Sequence, residues 1–296
     1  MDKDIATFSN TKDILNKYNI RLNKDLGQHF LIENQIMENI INVSDLAGDE
    51  KVIEIGAGIG SLTQYILRKL EDGELITIEK DRRFIKVLED LFQDYPNLKI
   101  INKDVLQINW QNFVDDNDLK DVNLKVIANL PYYITTPIIE SLLFSPLHIK
   151  EMIFMMQREV AQRLAASPGT KDYGSLSVFI QFHYRADIKF EVSPKSFIPK
   201  PEVYSAVIKL TPHKETPYKV KDKEFFFKVV RAIFNLRRKN IKNSLTLSPH
   251  INLEKDLIIN GLKQCGIDQR IRGEKLSIEE MTQLSNKFWE LKNEKE

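Results

Sequence analysis

The chain has 296 residues, 42% of them hydrophobic and 29% charged, with 43 Lys and Arg against 42 Asp and Glu, which supplies one large or two smaller cores and excludes wholesale disorder. A single cysteine, Cys265, and five histidines without ligand spacing exclude a disulfide scaffold and a structural zinc site, so a reducing cytoplasm and no metal are expected. No apolar run approaches the roughly 20 residues of a membrane helix, and Met1, Asp2, Lys3 and Asp4 do not open a signal peptide, so neither membrane association nor secretion is expected.

In chain order, residues 1–22 are polar and read as a flexible N-terminal segment. Five short β-rich runs follow, Lys51 to Ile55, Leu75 to Ile78, Leu98 to Ile101, Leu124 to Ala128 and Met152 to Met156, separated by segments of helical periodicity. Such alternation predicts βαβ units, and runs that are apolar almost throughout predict a parallel sheet buried on both faces. His183 to Val192 and Ser205 to Leu210 are joined by a proline-rich loop, Ser193 to Pro201, too directly for a helical crossover. They are expected to form an antiparallel pair closing the sheet. Thr211 to Pro217 is polar and proline-bounded, and everything beyond it has helical texture. The expected division is an α/β domain over 23–212 and a smaller helical domain over 213–296, whose last helix starts at Ser277 with Glu280 as its capping-box partner.

The first run passes through Glu54 and Ile55 into Gly56, Ala57, Gly58, Ile59 and Gly60. Glycines there allow a tight turn and let a ligand lie against bare backbone. The spacing is G-x-G-x-G rather than G-x-G-x-x-G, and Glu79, followed by Lys80, closes the second run 23 residues after Gly56, where an acid can accept both hydroxyls of a ribose. The third run ends at Asp104 and Val105. Asp104 reads either as an acceptor for an exocyclic amine or as a turn cap. The fourth run ends in Asn129, Leu130, Pro131, Tyr132, Tyr133, which combines an amide, a proline-fixed turn and an aromatic face.

At Asn129 to Tyr132 the sequence resembles the S-adenosylmethionine-dependent methyltransferases that modify amino nitrogens of bases, and its Asn-Leu-Pro-Tyr form resembles the ribosomal RNA adenine N6,N6-dimethyltransferases of the small subunit. Two further stretches match that family: Leu26, Gly27, Gln28, His29, Phe30, Leu31, and Ser196 to Pro201 with Val203, Ser205, Ala206 and Val207. The resemblance spans about Asn23 to Leu245. It implies a Rossmann-like, mostly parallel sheet with an antiparallel last strand, S-adenosyl-L-methionine as cofactor and S-adenosyl-L-homocysteine as product. The implied activity is dimethylation of two adjacent adenosines near the 3′ end of 16S ribosomal RNA within the small subunit, by a monomer with a role in subunit biogenesis. It further implies that Gln28, His29 and Leu31, with Glu54, Gly56, Gly58, Glu79, Lys80, Asp104, Val105 and Asn129, hold the cofactor. His29 stands where many relatives carry Asn. Asn129, Leu130, Pro131, Tyr132 and Phe197 would hold the target base between the Tyr132 and Phe197 rings. Two alternatives stay open: a relative that methylates one adenine of 23S ribosomal RNA, and an assembly factor without catalysis.

From Phe225 to Leu245 there are six basic residues and no acids. Phe225, Phe226, Phe227 and Phe234 read as the core side of a helix, and Arg231, Arg237, Arg238, Lys239 and Lys242 as an RNA-phosphate surface on the other, against the plainer reading of a solvated helix face.

Overall fold

The computed structural model describes residues 3–22 and 28–293. Asn23, Leu26 and Gly27, where the expected α/β domain and the first family-like stretch begin, lie outside the described residues. The chain divides into two compact units, Met1–Ala161 with Asp187–Pro212, and Gln162–Ala186 with His213–Glu296. The expected junction at 212/213 is one of three, because residues 162–186 leave the expected continuous 23–212 domain. Burial explains the departure: Tyr173, Val178 and Phe182 share an apolar cluster with Phe226, Val229 and Ile233.

The elements run α1 (Phe8–Lys17), β1 (Phe30–Leu31), α2 (Asn34–Ser44), β2 (Lys51–Ile55), α3 (Ser61–Leu67), β3 (Glu74–Glu79), α4 (Arg82–Leu91), β4 (Leu98–Asn102), α5 (Trp110–Asp116), β5 (Asn123–Asn129), α6 (Thr135–Leu143) and β6 (His148–Gln157). After α7 (Arg158–Leu164) and α8 (Ser175–His183) come β7 (Tyr184–Val192), β8 (Phe197–Ile198) and β9 (Ser205–Pro212). The second unit continues with α9 (Lys223–Phe234), α10 (Ile241–Thr246), α11 (Lys255–Gln264) and α12 (Ile278–Asn293).

Seven strands form one sheet in the order β4-β3-β2-β5-β6-β9-β7. The β4/β3, β3/β2, β2/β5 and β5/β6 pairs are parallel, with Ile53 level with Ile76 and Val126, and β9 runs antiparallel to β6 with Ile208 opposite Phe154. Val52, Ile53, Ile76, Val126, Ile153 and Phe154 are buried, as are Met152, Met155 and Met156, which is what strands covered on both faces require. One polar residue interrupts β5: Lys125 is buried, pairs with Glu50 at 2.8 Å and donates to the Ser44 and Asp45 carbonyls that end α2, so its charge is both neutralised and hydrogen-bonded. The parallel strands bring their carboxyl ends to one edge, where open α/β sheets bind ligands.

Residues 3–22 correct the expectation of a flexible segment. Ile5, Ala6, Leu15 and Ile20 are buried, Thr7 caps α1, and the Ile5 amide donates to Gln64 Oε1 at 2.9 Å while Gln64 Nε2 donates to the Lys3 carbonyl at 2.9 Å. Arg68 on the same side of α3 pairs with Asp4. Buried apolar residues at positions 5, 6, 15 and 20 of a polar stretch give no periodic signal, yet with these hydrogen bonds they hold it against α3. In the second unit the Ser277 hydroxyl accepts from the Glu280 amide and the Glu280 carboxylate accepts from the Ser277 amide, the reciprocal cap expected at the start of α12.

Candidate active site

Strand β2 ends on Glu54 and Ile55, and the chain then turns through Gly56, Gly58 and Gly60, all at positive φ (+74°, +56° and +86°). At Gly58 a Cβ would lie 2.7 Å from Cε1 of Phe30, so only glycine lets the turn pass under that ring. The Gly58 amide donates to Glu79 Oε2 at 2.9 Å, and Glu79 Oε1 accepts from the Asp81 amide at 2.8 Å. One carboxylate at the end of β3 thus braces the glycine turn and the start of α4. Glu54 is 1% exposed, and its Oε2 accepts both the Thr63 and Thr77 hydroxyls, at 2.6 and 2.8 Å. Burial pushes its pKa up to about 7 against those two hydrogen bonds, with the Glu79 charge adding to the rise. Burial also raises Glu79, opposed by its backbone donors.

Asp104 takes the capping role that was one of its two readings, and its other oxygen is held by a neighbouring lysine. Its Oδ1 accepts from the Leu106 amide as a cap, and its Oδ2 pairs with Lys80 at 2.8 Å; the lysine's hydrogen bond is the main reason its pKa is lowered. At the end of β5 the Leu130 amide donates to the Met155 carbonyl at 2.9 Å, which ties the Asn129–Tyr132 turn to the neighbouring strand. Asn129 Nδ2 lies 3.4 Å from the His29 carbonyl, leaving Oδ1 as an acceptor. The Pro131 carbonyl accepts from the Ile134 amide and the Thr135 hydroxyl and is spent on starting α6. The Tyr132 hydroxyl and Ser205 Oγ are 2.6 Å apart, and burial raises the phenol's pKa.

A cavity of about 450 Å³ opens between these elements. Gln28, His29 and Leu31 line it from the chain before α2, Glu54, Gly56 and Gly58 from the first turn, Glu79 and Lys80 from the second strand end, Asp104 and Val105 from the third, and Asn129, Leu130, Pro131 and Tyr132 from the fourth. Phe197 does not join them, a correction to the expected base sandwich. It is 4% exposed, because β8 pairs antiparallel with β1 and sets Phe197 opposite Leu31. The ring facing Tyr132 is instead that of His29, stacked at 5.5 Å and 24°, with its Nδ1 2.7 Å from the Pro199 carbonyl.

Sequence reasoning missed Asp81, Arg83 and Tyr133. Asp81 caps α4 and accepts from Gln28 Nε2 at 3.1 Å and from the Arg83 guanidinium on both oxygens, the arginine's hydrogen bonds being the main cause of its lowered pKa. An acid at a helix start just past Glu79 was the available signal, whereas nothing in the sequence separates Arg83 from Arg82. The basic residues do not share one helix: Arg231 lies on α9 and Lys242 on α10, but Arg237, Arg238 and Lys239 occupy the turn between them. Arg231, Arg237, Arg238 and Lys239 are all exposed, and Arg237 also donates to the Lys171 and Tyr173 carbonyls at 2.7 and 3.0 Å.

The arrangement is a pocket with two buried carboxylates, a bare glycine backbone and an amide acceptor beside an aromatic ring, suited to a cationic ligand with vicinal hydroxyls next to a flat amine-bearing one. Compared with known proteins, residues 19–290 match the family model for ribosomal RNA adenine dimethylase. The ribosomal RNA small subunit methyltransferase A of Halothermothrix orenii is 51% identical over 98% of this chain and 95% of its own length. The protein of the same name from a Geobacillus species is 45% identical over 97% and 98%. A dimethyladenosine transferase from Plasmodium falciparum superposes with a TM-score of 0.74 at 22% identity, covering 88% of this chain and 98% of its own. The 23S rRNA methyltransferase ErmE gives 0.66 at 23%, covering 88% and 99%; both show the shared Rossmann-like fold.

Proposed function

This chain belongs to the ribosomal RNA adenine dimethylase family, and from that premise we propose that it uses S-adenosyl-L-methionine, leaving S-adenosyl-L-homocysteine, to dimethylate N6 of two adjacent adenosines near the 3′ end of 16S ribosomal RNA within the small subunit. The observation that carries the reading is the Asn129–Tyr132 turn opening onto the same cavity as the glycine turn and Glu79. The residues present fit the cofactor. The Glu79 oxygens accept the Gly58 and Asp81 amides, with the Lys80 amide also contributing, and the carboxylate still has acceptor capacity for a ribose hydroxyl. Asp104 can accept from an adenine amine beside the apolar Val105, and the buried Glu54 and Glu79 favour a cationic sulfonium and ammonium. When bound, the cofactor supplies an electrophilic methyl group.

The chain's own residues prepare the nucleophile. An adenine amine is poorly nucleophilic while its lone pair is delocalised into the ring. Two acceptors on its N–H groups would localise that pair, and Asn129 Oδ1 is one of them. The Leu130 carbonyl is the other, since the Pro131 carbonyl already serves α6. Leu130 and Asn129 are held by strand β6 before substrate arrives, so the stabilisation is preorganised. The target base stacks on Tyr132, whose ring is fixed through Ser205. In this reading Arg231, Arg238, Lys239 and Lys242 contact RNA phosphates, and the protein works as a cytoplasmic monomer; no helix among the described residues is long and apolar enough to cross a membrane.

The test is incubation of the full chain with labelled cofactor and three substrates: small subunits lacking the mark, mature small subunits and large-subunit RNA. Dimethyladenosine only from the unmarked small subunits is expected. Label in large-subunit RNA would reassign the target. Asn129→Ala is expected to lower turnover by about 100- to 1000-fold with the fold intact, and normal turnover in that variant would overturn the mechanism.

A further inference from the structure

Tyr204 is 46% exposed, and both its backbone and its ring are held by Arg158. Its carbonyl accepts from the Arg158 amide at 2.9 Å. The Arg158 guanidinium lies over its ring at 5.0 Å from the centroid and is itself braced by Glu191 at 3.1 Å. The next residue, Ser205, holds the Tyr132 hydroxyl. In register, Ser205 lies opposite Gln157 on β6, and Met155 lies beside Asn129. Tyr204 therefore stands at the carboxyl edge of the sheet, two strand spacings, about 10 Å, to the side of the Asn129 strand and about three residues, again roughly 10 Å, beyond Asn129 along it.

We propose that Tyr204, backed by Arg158, is a stacking platform for the RNA base adjacent to the adenine held at Asn129; this deepens the function proposed above and rests on it. A ring clamped by a guanidinium loses little further entropy when a base lands on it, and a cation behind the ring adds to the attraction. Stacking needs no particular hydrogen-bond pattern, so the platform accepts either member of an adenosine pair while the other is methylated. Ser205, which holds the Tyr132 hydroxyl, is the next residue in the chain, so the backbone links the two aromatic surfaces, and Tyr204 is a positioning residue for the neighbouring nucleotide rather than a catalytic one.

The test is a cycle between protein and RNA. A fluorescently labelled small-subunit RNA fragment carrying the adenosine pair is bound to the full chain with S-adenosyl-L-homocysteine present, intact or with one of the two adenosines made abasic, each position in turn. For the wild type, at least one abasic position should weaken binding about tenfold. Tyr204→Ala should bind the intact RNA about tenfold more weakly and lose nothing further from that abasic change, while Tyr204→Phe behaves as the wild type. An abasic penalty equal in the wild type and in Tyr204→Ala overturns the platform. Methylation of the intact fragment is measured in parallel: normal methylation with an additive cycle removes only the platform, whereas absence of methylation by the wild type removes the target assignment and the platform with it.

Discussion

Glu54 sits at the carboxyl end of β2, 1% exposed, and burial pushes its pKa from 4.5 up to about 7. The sign of the consequence follows from proton counting. Between those two values the folded state keeps a proton that the unfolded chain has lost, so stability falls as pH rises through the window and levels off above it. Glu54→Gln has no proton to lose and retains an oxygen for Thr63 and Thr77. Its unfolding free energy, compared with the wild type across pH, should gain on the wild type from about pH 4.5 upward and plateau above about 7, by on the order of 3 kcal/mol; a difference that does not vary with pH would mean Glu54 is ionised in the fold throughout. At this scale the sequence was informative where a residue's place follows from its own neighbours. Glu54 and Glu79 at strand ends and Asp104 just past one line the cavity because the strands before them are recognisable. Phe197 was misplaced because its direction is set by the ladder to Leu31, more than 160 residues away, which no local pattern carries.

The glycine turn shows the same logic in an element. G-x-G-x-G was readable as a turn that must approach something closely, but what it approaches, the Phe30 ring on the two-residue strand β1, becomes visible only in three dimensions. Phe30 in turn meets Phe84 of α4 edge-on at 5.6 Å, so the ring cannot yield without disturbing α4. Gly58→Ala combines a left-handed φ with a Cβ 2.7 Å from that ring. A loss of about 2–3 kcal/mol in urea unfolding is expected, together with weakened binding of S-adenosyl-L-homocysteine in calorimetry, because the turn and the Glu79 carboxylate it donates to must shift together. Unchanged binding would mean that Glu79 is positioned by Asp81 alone. The long strands were legible to within a residue or two, except β6, because apolar runs announce strands; the run Leu98 to Ile101 is not covered on both faces as expected, since β4 is the sheet's edge strand and only partly buried. The β1–β8 pair and the N-terminal strap were not, since each depends on partners distant in sequence.

At the scale of the whole chain, the excursion of residues 162–186 into the second unit changes what the basic stretch can do. The Arg237 guanidinium is committed to the carbonyls of Lys171 and Tyr173 and lies 3.7 Å from the Glu274 carboxylate, so it pins the 167–173 loop to the α9–α10 turn. All three basic residues of that turn are exposed, and it is these carbonyl hydrogen bonds that set Arg237 apart from Arg238 and Lys239. Equal basic residues in a row therefore divide into one that holds the fold and two that are available to a polyanion, a distinction composition cannot make. Counterion release gives the separating measurement. Removing one cationic partner of an RNA phosphate should reduce the slope of log affinity against log salt by about 0.7–0.9, so the Arg238→Ala, Lys239→Ala double variant should bind small-subunit RNA with a slope smaller by about 1.5 and an unchanged melting temperature. Arg237→Ala should leave the slope nearly as it was and instead destabilise the second unit by about 1–2 kcal/mol, because two charge-assisted hydrogen bonds go with the side chain. If Arg237→Ala flattened the slope as much as the double variant at unchanged stability, the guanidinium would have to leave its carbonyls for RNA, and the turn would be a surface that reorganises on binding rather than one held ready.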